Sequence, residues 1–403
     1  MKILHCSDIH LGKRPFGNEN FSQKRYEDYF KSFGQVVDLA VHEKVQVMII
    51  SGDLFDRRDL TPDILARSEE FFRKLHGEGI KVLLTEGNHD NSNRYDEINS
   101  WLHYLEGRGL TKRLEYRRDE KGKYSFQKEI IENINFYGLG FPGFGVDRVV
   151  EALSQELNGE EKNIVMIHTA LGGEGGHLPG LVSSQALNLL KGKALYVAGG
   201  HLHSKKIYPS PLRGEIPFFF IPGSTEYWNV INERSDEKGV FIFDTEREEY
   251  TYHLVEPRKR IKESFLVERK EGVIERFSEC IKALNLTGEE LLLVELKIKN
   301  NIYINSKELE KIAEEEGALK AYILPIFLEE NSQEKGEFRE ESDTTANIER
   351  GIIESWEGFG ESKLSDHFEN LKEIQREGDS SAFERFYQEF DQILEGMIVD
   401  EDR

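Results

Sequence analysis

Eight side chains able to hold metal ions or move protons fall in five short clusters. They are Asp8 with His10; Asp53, behind Gly52 and three residues ahead of Asp56; Asn88 with His89, between Gly87 and Asp90; His168; and His201 with His203. Carboxylate, amide and imidazole donors without thiolates suit manganese, iron or zinc. Two cations about 3.5–4 Å apart, sharing a bridging carboxylate, clamp the attacking and leaving oxygens of a phosphoryl displacement. Each cluster alone is weak, because Gly-Asp and His-x-His pairs arise by chance and a strand-end histidine is usually structural. Together they hold five of the 12 histidines, in an order that points to a two-metal phosphoesterase site.

The elements that must position these groups read as an α/β chain. Apolar strands are expected at 2–5, 45–51, 81–85, 134–139, 163–168, 195–198 and 218–221. Amphipathic helices are expected at 26–42, 62–76, 98–105 and 146–157. Asp8, Asp53, Asn88, His168 and His201 then sit at or just past the C-terminal end of a strand, where α/β folds collect ligands. The pattern changes near Pro257 and the basic run Arg258, Lys259, Arg260 and Lys262. From there strand 264–268, helix 273–284, strand 291–299, helix 307–315 and strand 319–326 make a smaller α/β unit. Residues 329–350 read as a polar linker. Two amphipathic stretches follow, one on Leu364, Phe368, Leu371 and Ile374. The other carries Phe383, Phe386, Tyr387, Phe390, Ile393, Leu394, Met397 and Ile398, with Ser381 and Glu384 as a capping box. The expected units are 1–256, 257–328 and 329–403.

Composition narrows the class. With 403 residues, 38% hydrophobic and 11% aromatic, the chain can build two or three cores. Two distant cysteines, Cys6 and Cys280, argue against a disulfide framework and suit a reducing compartment. No h-region of a signal peptide and no long apolar span occurs, so a cytoplasmic protein is expected. The net charge of −22 looks unsuited to a polyanionic partner, but residues 329–403 carry 23 acidic against 8 basic side chains. The acidity belongs mainly to the tail.

The five clusters, as D-x-H, G-D, G-N-H-D, H and G-H-x-H, resemble the calcineurin-like metallophosphoesterases. That resemblance implies a sandwich of two sheets flanked by helices. It implies one metal on Asp8, His10 and His203, a second on Asn88, His168 and His201, and Asp53 bridging. His89 would act on the phosphate rather than ligate, with Asp56 or Asp90 orienting its ring. Within the family, His5-Cys-Ser-Asp-Ile-His-Leu-Gly12, Ser51-Gly-Asp-Leu-Phe-Asp56, Thr85-Glu-Gly-Asn-His-Asp90 and Pro222-Gly-Ser-Thr-Glu226 are similar to the SbcD-type double-strand-break repair nucleases. This implies a manganese-dependent exonuclease on duplex ends and endonuclease on single strands, a homodimer associated with the nucleoid. A DNA-binding capping domain would occupy 257–328, and an SbcC-type SMC-like ATPase would grip the C-terminal helices. Arg57 and Arg58 at the metal edge, and Arg258, Lys259 and Arg260 at the junction, are the expected DNA contacts.

Other signals carry less. Gly138-Leu-Gly140-Phe-Pro-Gly143 fits a dinucleotide fingerprint formally, but no ribose-binding acid ends the next strand, and a tight loop is the better reading. The basic stretch Lys112, Arg113, Arg117, Arg118, Lys121 and Lys123 is interleaved with acids and reads as a solvated hairpin. Phe16 reads as a packing residue. Rival functions on this fold are a phosphomonoesterase, a cyclic-nucleotide phosphodiesterase, a protein phosphatase, or a scaffold with a degenerate site. An added α/β unit with terminal helices argues for the nuclease.

Overall fold

Strand burial explains the architecture. Val47–Ser51 is buried at every residue, as are Ile134–Gly138 and Tyr196–Gly200. Strands covered on both faces belong in sheets flanked by other layers. The computed structural model describes residues 1–90, 100–172, 180–211, 214–233, 235–299 and 302–328. The expected linker and partner-binding helices of 329–403 lie outside the described residues.

The chain opens with β1 (Lys2–Cys6), α1 (Glu19–His42), β2 (Val47–Ser51), α2 (Pro62–Gly77), β3 (Lys81–Thr85) and α3 (Trp101–Gly107). Short strands β4 (Lys112–Arg113), β5 (Tyr116–Arg118), β6 (Tyr124–Phe126) and β7 (Lys128–Ile131) lead to β8 (Ile134–Gly138) and α4 (Val146–Glu156). Then come β9 (Lys162–His168), β10 (Ala170–Leu171), β11 (Leu181–Val182), α5 (Ser184–Asn188), β12 (Tyr196–Gly200), β13 (Lys206–Tyr208) and β14 (Phe219–Ile221). The hairpin β15 (Lys238–Asp244) and β16 (Glu249–Val255) precedes β17 (Arg260–Val267), α6 (Val273–Lys282), β18 (Leu291–Lys299), α7 (Ser306–Glu315) and β19 (Lys320–Leu328).

Two six-stranded sheets form the body, ordered β16-β15-β1-β2-β3-β4 and β13-β14-β12-β9-β8-β7. Between them lies a shared core in which Ile3, Val47, Ile49 and Leu83 meet Ile164, Met166, Tyr196 and Phe220. The outer face of the first sheet packs on α1, α2 and α3, and that of the second on α4 and α5. The α/β sandwich expected from the sequence is therefore the fold.

Helix α1 begins at Glu19, well before the expected residue 26, because the Asn18 side chain accepts a hydrogen bond from the Phe21 amide at 2.8 Å. Helix α2 starts where Pro62 can occupy its first turn without losing a donor. The hairpin β15–β16 was not expected from the sequence. It extends the first sheet antiparallel to β1, with Lys2 opposite Asp244.

Strands β17, β18 and β19 form a separate three-stranded parallel sheet. Phe277 and Ile281 of α6 and Leu309 and Ala313 of α7 cover one of its faces, over Val294, Leu296 and Ile323. Phe21, Tyr227 and Val230 pack against Leu291 and Leu319, tying this sheet to the sandwich. Arg258 pairs there with Asp28 at 2.6 Å and with Glu289 at 2.6 Å. The Arg260 side chain is fully buried, bonded to Asp236 and to the carbonyls of Val230 and Glu233. The structure thus places Arg258 and Arg260 in the joint, and of the three junction residues only Lys259 presents its side chain to water, 69% exposed.

Candidate metal centre

All five clusters converge on one edge. Strands β1, β2 and β3 are parallel neighbours in the first sheet, and β9 and β12 are parallel neighbours in the second. The C-terminal ends of both sets point the same way, so loops from two sheets deliver their polar groups to a single point. Main-chain bonds lock the first two loops together: Ile9 N and His10 N both donate to Asp53 O, at 2.8 and 3.0 Å. Asp8, His10 and Asp53 all adopt φ 53°, a left-handed conformation that non-glycine residues avoid. Such strain persists where the surroundings over-determine it, commonly at functional sites. Gly87 explains one glycine: a Cβ there would collide with the Asp53 carboxylate and amide.

Three ligand groups result. Asp8, His10 and His203 offer donor atoms within 4.8 Å of one another, as do Asp53, His168 and His201, and as do His10, Asp53 and His89. Asp53 belongs to two of them, 3.8 Å from His10 Nε2 and 3.2 Å from His168 Nε2. Asn88 Oδ1 lies 3.1 Å from His168 Nε2, on the same side as His201.

Hydrogen bonds set which ring nitrogens face the centre. His168 Nδ1 lies 2.8 Å from the Ser51 carbonyl, which can only accept, so this nitrogen carries the proton and Nε2 is turned to the site. In the same way His203 Nδ1 donates to Glu233 Oε1 at 3.2 Å. The Glu233 carboxylate also accepts from the buried Lys238 ammonium and from the Trp228 and Asn229 amides. Burial would raise the Glu233 carboxyl, but His203 and Lys238 hold it down at about 2.

Electrostatics fit the same picture. Burial works against charge on Asp53, yet His168, His10 and His89 around it keep its carboxyl below the usual range. Burial also opposes a charged His168, but Asp53 and Asp8 push it up to about 9. His201 is pushed down to about 4 by burial and by the charge on His168. Asp8 Oδ1 and His10 Nδ1 are buried without hydrogen-bond partners, and His10 Nε2 faces His203 Nε2 at 3.3 Å. Imidazole, amide and carboxylate donors gathered at one point, with a buried carboxylate oxygen among them that has no partner, are a donor set that fits divalent metals.

His89 stands beside these groups. Its amide donates to Asp53 Oδ1 at 2.9 Å, and its Nδ1 donates to the main-chain carbonyl of Asp56 at 2.7 Å. The orienting contact expected from an acid side chain thus comes from a peptide carbonyl. The Asp56 carboxylate instead accepts from Trp228 Nε1 at 3.1 Å and Lys13 Nζ at 3.3 Å, and lies 3.6 Å from His10 Nδ1. Asp90 clamps the loops, accepting from the amides of Leu54, Phe55 and Gly87. Burial and Asp53 raise its carboxyl to about 7. Arg57 is 67% exposed beside Asp56, and Arg58 is exposed too, so both are open to a polyanion at this edge. Phe16 is fully exposed, which removes its expected packing role.

Glu233, Trp228, Lys13 and Ser51 escaped the sequence reading. Their spacing to the ligands is irregular; Glu233 lies 30 residues from His203. The Glu233 contact predicts that Glu233→Gln weakens divalent-metal binding by about 10–100-fold, since partners of ligating histidines orient them and tune their basicity. Isothermal titration of the metal-free protein checks this; unchanged affinity would show that the contact is incidental.

Comparison with known proteins adds kinship. Residues 1–205 match the family model described as calcineurin-like phosphoesterase. The DNA double-strand break repair protein Mre11 of Sulfolobus acidocaldarius is 32% identical over 209 residues, covering 51% of this chain and 50% of that one. This chain therefore matches about half the length of that relative. The Mre11 protein of Archaeoglobus fulgidus is 24% identical over 89% of this chain and 81% of its own length. An uncharacterized metallophosphoesterase of Bacillus subtilis, YhaO, is 23% identical over 92% of this chain and 90% of its own.

Proposed function

This chain belongs to the calcineurin-like phosphoesterase family, and we propose that within it the chain is a two-metal, manganese-dependent DNA nuclease. It would hydrolyse phosphodiester bonds as an exonuclease on duplex ends and an endonuclease on single strands, in double-strand-break repair. The observation that carries the reading is Asp53, shared between two ligand groups at the joined edge of both sheets with His89 alongside. An Mre11 relative aligned through most of both chains, so including the small α/β unit, favours DNA over a small phosphomonoester. By the same kinship an SMC-like ATPase and a second copy of this chain are the proposed partners. No described helix is long and apolar enough to cross a membrane.

In this mechanism Asp8, His10 and His203 would hold one cation and Asn88, His168 and His201 the other, with the Asp53 carboxylate serving both. The cations would supply Lewis acidity to the phosphoryl oxygens and lower the pKa of the attacking water. Ser51 and Glu233 keep His168 and His203 turned inward by accepting hydrogen bonds from their Nδ1–H groups. His89, held through Nδ1 by Asp56, presents Nε2 to move a proton at the phosphate or leaving oxygen.

The test is cleavage of end-labelled linear duplex and single-stranded DNA in manganese, with a small phosphodiester and a phosphomonoester in parallel. Wild type should shorten DNA only with the metal. His89→Gln should lose roughly 10²–10⁴-fold in rate, the usual worth of a positioned proton-transfer group, while calorimetry shows its manganese binding retained. Intact DNA beside a hydrolysed monoester would overturn the nuclease reading in favour of a phosphatase.

A further inference from the structure

Two signals set aside singly in the sequence, the basic stretch 112–123 and the glycine-rich turn 138–143, meet in the fold. They line one groove of about 800 Å³, with Arg113, Arg117, Arg118 and Tyr124 on the hairpin side and Phe141 and Phe144 on the other. Its volume lies within the range of built ligand sites. The groove adjoins the metal centre. Its lining includes Thr85 and Glu86, just ahead of Gly87 and Asn88. The Phe141 ring stands 5.4 Å from His201 and 5.9 Å from His168.

The groove's chemistry is specific. Phe144, on the short turn Gly143–Gly145, is 79% exposed at the rim. The Arg118 guanidinium lies 5.5 Å from the Tyr124 ring centre, and Arg117 is 72% exposed. Glu115 accepts from Arg113 and Arg117, and Glu86 from Arg113, so three arginines face two acids. A surface pair such as Arg117–Glu115 is worth no more than about 1 kcal/mol and can yield to a phosphate. Aromatic faces combined with a modest positive balance suit a strand whose bases are free to stack; a paired duplex offers only base edges and backbone.

We propose that this groove binds the unpaired DNA strand running from the metal centre, one base stacking on Phe144 and neighbouring phosphates meeting Arg117 and Arg118. The proposal rests on the nuclease reading above and adds a strand-selecting subsite to it. The experiment is fluorescence anisotropy with full-length protein in a chelator, using a labelled oligothymidylate and a duplex of equal length. Base stacking is worth about 1–3 kcal/mol, so Phe144→Ala should weaken oligothymidylate binding about tenfold and leave duplex affinity within about twofold, with Phe144→Trp restoring it. In Arg117→Ala/Arg118→Ala the slope of log affinity against log salt for the single strand should fall by about 1.4, about 0.7 per phosphate lost. Unchanged single-strand affinity in Phe144→Ala, or equal loss on both DNAs, overturns the subsite. Manganese-dependent cleavage by wild type, run beside it, judges the nuclease reading separately: DNA left intact would sink that reading, whatever the anisotropy shows of the groove.

Discussion

Asp53→Asn is expected to abolish metal-dependent hydrolysis, lowering kcat/KM on a small phosphodiester by at least about a hundredfold, because a shared cation clamp is worth several kcal/mol. The substitution is sharp because it preserves shape. Its amide oxygen can still accept the His89 amide that Asp53 Oδ1 now holds at 2.9 Å. What disappears is the negative charge that faces His168 at 3.2 Å and His10 at 3.8 Å. A neutral carboxamide is a poor bridge between two cations, so calorimetry should show fewer divalent ions bound than by wild type. Manganese should also stabilise the variant less, since a ligand at 100 times its Kd adds about 2.7 kcal/mol to the folded state. Activity within tenfold of wild type, at two bound ions, would remove Asp53 from the bridging position.

The second large effect falls outside the metal centre. Arg25 of α1 is wholly buried, donating to Asp28 at 2.8 Å, Glu226 at 2.9 Å and the Tyr227 carbonyl at 2.8 Å. Glu226 also accepts the Arg258 amide at 2.8 Å, and Asp28 takes the Arg258 guanidinium. One buried network therefore joins α1, the loop that follows β14, and the start of the small sheet. Arg25→Met fills the space but leaves two buried carboxylates short of a partner. Breaking such a pair from one side costs about 3–5 kcal/mol. At roughly 2–4 °C per kcal/mol the melting temperature should fall by about 10 °C. A double-mutant cycle with Glu226→Gln separates the pair from its surroundings, and a loss below about 1 kcal/mol in Arg25→Met would show the network to be unimportant for stability. Because Trp228 in the same loop packs against the His203 ring and Glu233 accepts from His203, the divalent-metal affinity of the variant is worth measuring alongside.

Most of the fold's local content was legible because its causes are local. Strand β18 falls at the expected residues, and α2, α4 and α7 start or end within about one residue, since apolar period, Pro62 and the caps act over a few positions. The ligand clusters were readable for a related reason: each needs a strand end, a tight turn and a donor within four residues. The tail charge and the missing thiolates also follow from composition alone. Tertiary structure decided whatever depends on partners far along the chain. The apolar run Val240–Phe243 and the alternation of Tyr250, Tyr252 and Leu254 carried a local hairpin signal that went unread, but the register of β15 beside β1, more than 230 residues away, was set only by tertiary structure. Arg258 and Arg260 looked like phosphate contacts until their acids, Asp28 and Asp236, arrived from the sandwich. His89 is oriented by a peptide carbonyl, which every residue possesses and no side chain advertises. Glu233 becomes a support for His203, and the hairpin and glycine turn become one groove, only when loops from separate elements are folded onto the same edge. Residue chemistry is carried by the sequence, but the partner that desolvates, charges or orients each group is supplied by packing, and that partner decides its role.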